Sequence, residues 1–173
     1  MAGGVHIPVP DLEFDPGLVT GDALCFEALT DLAARPEKRV GMWMDPGTRQ
    51  SLLDGAAVGA VTQTAALIIL SCLSVEAKNR LAMWTDASAR SVLIAACDST
   101  ELIDHESGMC PAFFALQAIS NLAWQGNRKV MWEDSTLRQA LRAAANAPVI
   151  EVRRQALRAL ANLAEEKSIM KAM

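Results

Sequence analysis

The chain has 173 residues, of which 51% are hydrophobic, 21% charged and 5% aromatic, with no Tyr and a net charge of -4 at neutral pH. That length suits one domain with a real core or a short array of stacked repeats, and the acidic balance excludes a general nucleic-acid binder. The charge is uneven: residues 1–124 carry 7 basic and 15 acidic groups, against 9 and 5 over 125–173, so the two ends differ in sign and can steer partners.

Residues 1–21 hold three Pro and four Gly, with acids at Asp11, Glu13 and Asp15. No helix survives that spacing, so an extended N-terminal arm is expected. No basic residue precedes Arg35, and neither a secretory leader nor an Arg-rich transit peptide is visible. Asp22 is placed to cap a helix in which Cys25, Phe26, Leu29, Leu32 and Ala33 keep three-four spacing until Pro36 stops it.

From there one phrase recurs. Met-Trp, any residue, Asp, three residues, Arg begins at Met42, Met83 and Met131, and the preceding Arg39, Arg80 and Arg128 set periods of 41 and 48 residues. Such a period belongs to repeat architectures, in which each unit buries its apolar face on its neighbours. Asp45, Asp86 and Asp134 are expected to cap the second helix of each unit, helped in the first by Pro46 at its first position. Arg49, Arg90 and Arg138 lie four residues on, in reach of those carboxylates or of the adjoining unit. A ladder of Trp43, Trp84 and Trp132 reads as packing between units.

Leu52-Leu53, Leu93-Ile94 and Leu141 continue these second helices, and breaks are expected at Gly55 and Gly59, from Asp98 to Pro111, and from Asn146 to Pro148. The second break is acidic and makes the second period seven residues longer than the first. Glu101, Asp104, His105 and Glu106 therefore form a candidate partner-binding loop. The third helices align Phe26, Leu29 and Leu32 with Leu67, Leu70 and Leu73, then with Leu116, Ile119 and Leu122, then with Leu157, Leu160 and Leu163, which predicts four stacked helices forming one apolar wall. Val58 to Val75 is the only stretch near membrane-spanning length, but Thr62, Gln63, Thr64, Ser71 and Ser74 interrupt it and favour a buried helix.

Cys25, Cys72, Cys97 and Cys110 show no zinc-type or redox-type spacing and read as small core residues in a reducing intracellular compartment, the cytoplasm before an organelle interior. His6 and His105 stand in unrelated contexts. A Cys110–His105 nucleophilic pair lacks an orienting group, and no strand leads into a glycine-rich phosphate loop. The chain is expected to be no enzyme and to hold no metal and no cofactor.

The stretches Ala115 to Ala123 (ALQAISNLA) and Ala156 to Ala164 (ALRALANLA) resemble the third-helix signature of armadillo repeats, a family whose period of about 42 residues also matches. The resemblance spans roughly residues 22–173. It implies an all-α, right-handed α-solenoid of about three armadillo-like repeats, near 36–76, 77–125 and 126–165, preceded by one extra helix over 22–35 and followed by the start of a further repeat at 166–173. The Met-Trp phrase departs from the family, which has a Gly-containing hydrophobic turn there.

In armadillo proteins the third helices line a concave groove, and their Asn contacts the backbone of a bound peptide; Asn121 and Asn162 match that position, while Cys72 and Asp31 occupy it elsewhere. The importin-type Trp one turn earlier is replaced by Ile68, Gln117 and Arg158, so the resemblance does not extend to nuclear-import signals. Gln117, Asn121, Arg154, Arg158 and Asn162 form the candidate groove, with Arg153 on the same helix, and its charge suits an acidic extended peptide. The expected function is a protein–protein interaction scaffold, a structural or accessory subunit whose partners are other subunits that cover the solenoid ends. The alternative is an adaptor that captures an acidic extended ligand. Neither nucleic acid nor membrane insertion is expected.

Overall fold

The computed structural model describes residues 23–58, 60–101 and 109–165. The arm at 1–21, the Asp22 cap, most of the acidic loop and the segment 166–173 lie outside the described residues. Within them the protein is all-helical, with ten helices and no strand: α1 Ala23–Ala34, α2 Pro36–Met44, α3 Pro46–Ala57, α4 Ala60–Ser74, α5 Ala77–Thr85, α6 Ala87–Ala96, α7 Pro111–Leu122, α8 Arg128–Glu133, α9 Ser135–Ala145 and α10 Ile150–Ala164.

Local chemistry places the boundaries. Pro36 both ends α1 and opens α2, because a proline at the first helical position lacks only an amide that would be unsatisfied anyway. Asp45, Asp86 and Asp134 adopt extended backbone, and their carboxylates accept from Thr48 N at 2.7 Å, from Ser88 N and Ala89 N at 3.0 Å, and from Thr136 N and Leu137 N at 2.9 and 3.1 Å. All three aspartates are therefore helix caps. The Thr48 amide bond, foremost, holds the Asp45 carboxyl below the usual carboxylate range, with Arg49 adding to it. Pro111 opens α7 behind Cys110 in the same way that Pro36 opens α2.

Gly55 does not break the chain. It lies inside α3, buried, where a Cβ would stand 2.5 Å from Phe26 Cζ and 3.3 Å from Thr62 Cγ2. The glycine lets α3 approach α1 and α4 closely, and the helix runs on to Ala57.

Packing follows the apolar rows. The α4 helix lies between α1 and α7, and α7 lies between α4 and α10. Leu67, Leu70, Leu73, Leu116, Ile119, Leu122 and Leu163 have no exposed surface, and burial of each large aliphatic side chain stabilises the fold by roughly 1.5–3 kcal/mol. Trp43 and Trp84 are 1% and 2% exposed, whereas Trp132 is half-buried. One expected wall residue departs from the pattern. Leu157 is 57% exposed, because it lies on the outer side of α10, on which no further described helix packs. At 15 residues α4 is short for a bilayer, and no described helix is long and apolar enough to cross a membrane.

Candidate functional site

The candidate groove lies along the row formed by α4, α7 and α10. Gln117 and Asn121 are half-buried on α7, Asn162 is half-buried near the end of α10, and Arg154 and Arg158 are exposed on α10. The two asparagines face the preceding helix. Asn121 Nδ2 donates to Ser71 O at 3.3 Å and to Ser74 Oγ at 3.0 Å, and Ser74 Oγ in turn donates to Ser71 O at 2.6 Å. Asn162 Nδ2 donates to Ser120 O at 2.9 Å and Ser120 Oγ at 3.0 Å. Their amide protons therefore tie successive wall helices together through a polar seam in an otherwise apolar contact. Arg154 is paired with Glu151 one turn earlier, at 2.7 Å. Of the loop candidates, Glu101 is exposed. Asp104, His105 and Glu106 lie outside the described residues, and the loop's described ends are joined by the Ala112 amide donating to Ser99 O at 3.0 Å.

A second set of ties runs along the turns that contain the Met-Trp phrase. The guanidinium groups of Arg49, Arg90 and Arg138 lie over the rings of Trp43, Trp84 and Trp132 at 5.6, 5.9 and 5.8 Å from the centroids. Two of the three then reach forward to the next cap: Arg49 Nε is 3.7 Å from Asp86 Oδ2, and Arg90 Nε is 3.7 Å from Asp134 Oδ2. Arg49 and Arg138 also donate to the Trp43 and Trp132 carbonyls. Trp, Arg and the next Asp form a rung between neighbouring units. With side chains about one-third exposed, each ion pair contributes about 0–1 kcal/mol, and each cation–π contact about 0.5–1 kcal/mol.

Sequence reasoning missed the most buried ties. Asn79 and Asn127 have no exposed surface. Asn79 Nδ2 donates to Arg39 O at 3.0 Å and Leu73 O at 3.2 Å, and Asn127 Nδ2 donates to Arg80 O at 2.9 Å and Leu122 O at 3.1 Å. Each amide joins the end of one wall helix to the short helix of the preceding unit. The signal was present, since both residues stand one position before the ruler arginines Arg80 and Arg128. Those arginines line the same edge. Arg39 donates to Ala33 O at 2.8 Å and Arg80 to Val75 O at 2.8 Å, Arg128 pairs with Glu165, and the Arg80 guanidinium lies 6.0 Å from the ring centroid of the half-exposed Trp124.

A surface cleft of about 570 Å³ opens between α6 and α9, lined by Arg90, Ser91, Ile94, Asp98, Asp134 and Gln139 among others. Its two central charges, Arg90 and Asp134, already neutralise each other. Cys72, Cys97 and Cys110 are free thiols; burial, with Asp98 nearby, pushes Cys97 up to about 12, and burial also raises Cys110. Neither is a ready nucleophile at neutral pH. Among the described residues no group of three or more His, Cys, Asp or Glu is placed to hold a metal ion. No protein-family model matches the chain, and no curated protein is similar to it in sequence.

Proposed function

We propose that the chain is a non-catalytic protein–protein interaction scaffold of the armadillo type, a right-handed α-solenoid in which α1 precedes three three-helix repeats, α2–α4, α5–α7 and α8–α10. It serves as a structural or accessory subunit of a larger assembly. The observation that carries this reading is the outer side of α10. Leu157 and Ile150 are 57% and 59% exposed, two turns apart on one helix face, whereas Leu116, in the Leu157 register on α7, is wholly buried. Among the described residues no helix covers that face, and apolar side chains exposed together on one helix face mark an interaction surface. The Trp–Arg–Asp rungs and the asparagine seam support the same reading, because they tie each group of helices to the next. The free thiols fit a reducing intracellular compartment.

The test is affinity purification of the full chain from its native source with crosslinking. A stoichiometric protein crosslinked to α8–α10 is expected. Only substoichiometric captures, together with an isolated chain that stays monomeric and melts in one cooperative step, would refute the scaffold. A second reading is favoured by the exposed guanidinium groups of Arg154 and Arg158 on α10, which suit an acidic extended peptide. It is the weaker one, because the Asn121 and Asn162 amides that such a ligand would use are engaged within the wall. Charge reversal at Arg154 and Arg158 is expected to abolish acidic-peptide binding if this reading holds, and unchanged affinity would remove it.

A further inference from the structure

We infer that the outer face of α10 docks on the outer face of α1 in a second copy of this chain, so that copies join head to tail and continue the helical wall from one molecule into the next. This rests on the scaffold reading and names the partner of its exposed face.

The repeat register supplies the geometry. Along α7, Ser120 meets α10 through Asn162, and Phe113, Leu116 and Gln117 share its row one and two turns earlier, with Leu116 and Ser120 buried and Phe113 and Gln117 partly so. The corresponding row on α10 is Arg154, Leu157, Arg158 and Ala161, and all four are exposed. At the opposite end, Ala28 of α1 occupies the row of Ile69, Ala118 and Ala159. Those three have no exposed surface, while Ala28 is exposed. Asp31 occupies the row of Asn121 and Asn162, whose amides reach the preceding helix at Ser71 and Ser120; it is also exposed, as is Glu27 one turn earlier. The surface of α10 open to a following wall helix and the surface of α1 open to a preceding one are therefore the two halves of a joint the molecule already makes three times, at α1–α4, α4–α7 and α7–α10.

Charge selects the occupant. The α10 row presents Arg154 and Arg158 around Leu157, and the α1 row presents Glu27 and Asp31 around Ala28. Extending the wall by one register step sets Asp31 of one copy against Ala161 and Arg158 of the other, and Glu27 against Leu157 between the two arginines. Arg154 is already held by Glu151, so Arg158, which has no ion-pair partner among the described residues, is the freer of the two. A surface that pairs with a different surface of an identical molecule is heterologous, so association propagates into open chains.

Sedimentation velocity of the full chain over a wide concentration range, at low and high salt, tests this. The wild type is expected to grow beyond the dimer and to dissociate as salt rises. The variants E27R/D31R and R154E/R158E each place like charges across the joint and are expected to weaken self-association by about tenfold or more. Mixed in equal amounts, they offer an intact α10 face to an intact α1 face and a reversed face to a reversed one, so opposite charges meet at every joint and growth beyond the dimer is expected to return. All four positions are exposed, so both variants are expected to melt as the wild type does; L157K provides an independent block of the α10 face. A wild type that stays monomeric throughout overturns the inference, as does self-association that survives E27R/D31R, which would put another segment of the chain on α10. A monomeric chain that still holds a stoichiometric protein partner leaves the scaffold standing and overturns only this joint.

Discussion

Asn127 carries the most exacting prediction. Its side chain is wholly buried and its amide donates to Arg80 O and Leu122 O at 2.9 and 3.1 Å. Asn127→Ala removes both bonds, and at about 0.5–1.5 kcal/mol per bond the loss is about 1–3 kcal/mol, a fall in Tm of roughly 2–12 °C for a chain of this size. Leu122 O keeps the Trp124 amide at 2.7 Å, so that carbonyl is not stripped of every donor and the loss stays within this range. Asn127→Asp replaces the donating amide by a carboxylate facing two carbonyl oxygens, and an uncompensated buried charge costs about 3–5 kcal/mol. The same geometry raises the carboxyl pKa of that variant, so its extra loss shrinks as pH falls and the group protonates. Urea unfolding at neutral and acidic pH, followed by circular dichroism, measures all of this. An Asn127→Ala variant as stable as the wild type, or an Asn127→Asp variant no worse than the alanine, would show that the amide does not tie the two helices.

Leu116→Ala is expected to cost about 2–5 kcal/mol and Leu157→Ala less than about 0.5 kcal/mol in the monomer, although the two occupy the same register; equal losses in chemical denaturation would contradict the exposed α10 face. The depressed carboxyl of Asp45 contributes stability that is present above its unfolded value of about 3.9 and lost as pH falls through the lower folded value. Asp45→Asn is therefore expected to flatten the acid limb of a thermal-melt series below about pH 4, and an unchanged slope would argue against the cap. Cys97, buried and pushed up to about 12, is expected to resist alkylation near neutral pH until the chain unfolds; mass spectrometry of the native protein after iodoacetamide reads this directly, and rapid modification would contradict its burial.

The helices were legible because local chemistry sets them. Asp at the cap, Pro at the first position and apolar residues at three-four spacing are near-neighbour effects, and the Met-Trp ruler located the short helices and the caps without any tertiary information. Gly55 was misread as a break because a glycine inside a helix and one in a turn look alike until the Phe26 ring is seen against it.

The candidate site divides in the same way. Residue type and register identified Gln117, Asn121, Arg154, Arg158 and Asn162 as one row, but composition does not say in which direction an amide points. Asn121 and Asn162 turn toward Ser71, Ser74 and Ser120 because the neighbouring wall helix offers buried acceptors there, and a buried polar group left unpaired is costly. For Arg49 and Arg90 the choice between their own caps and the next unit's was likewise open in sequence. Both extend over a Trp toward the following Asp, because the stacking of one unit on the next brings that carboxylate close. What the sequence by itself determined is the set of helices, their caps and the period at which they recur, all properties of residues a few positions apart. Which polar groups close on the wall, and that Leu157 lies open where Leu116 is sealed, were decided only by stacking, since burial depends on the neighbour and not on the residue.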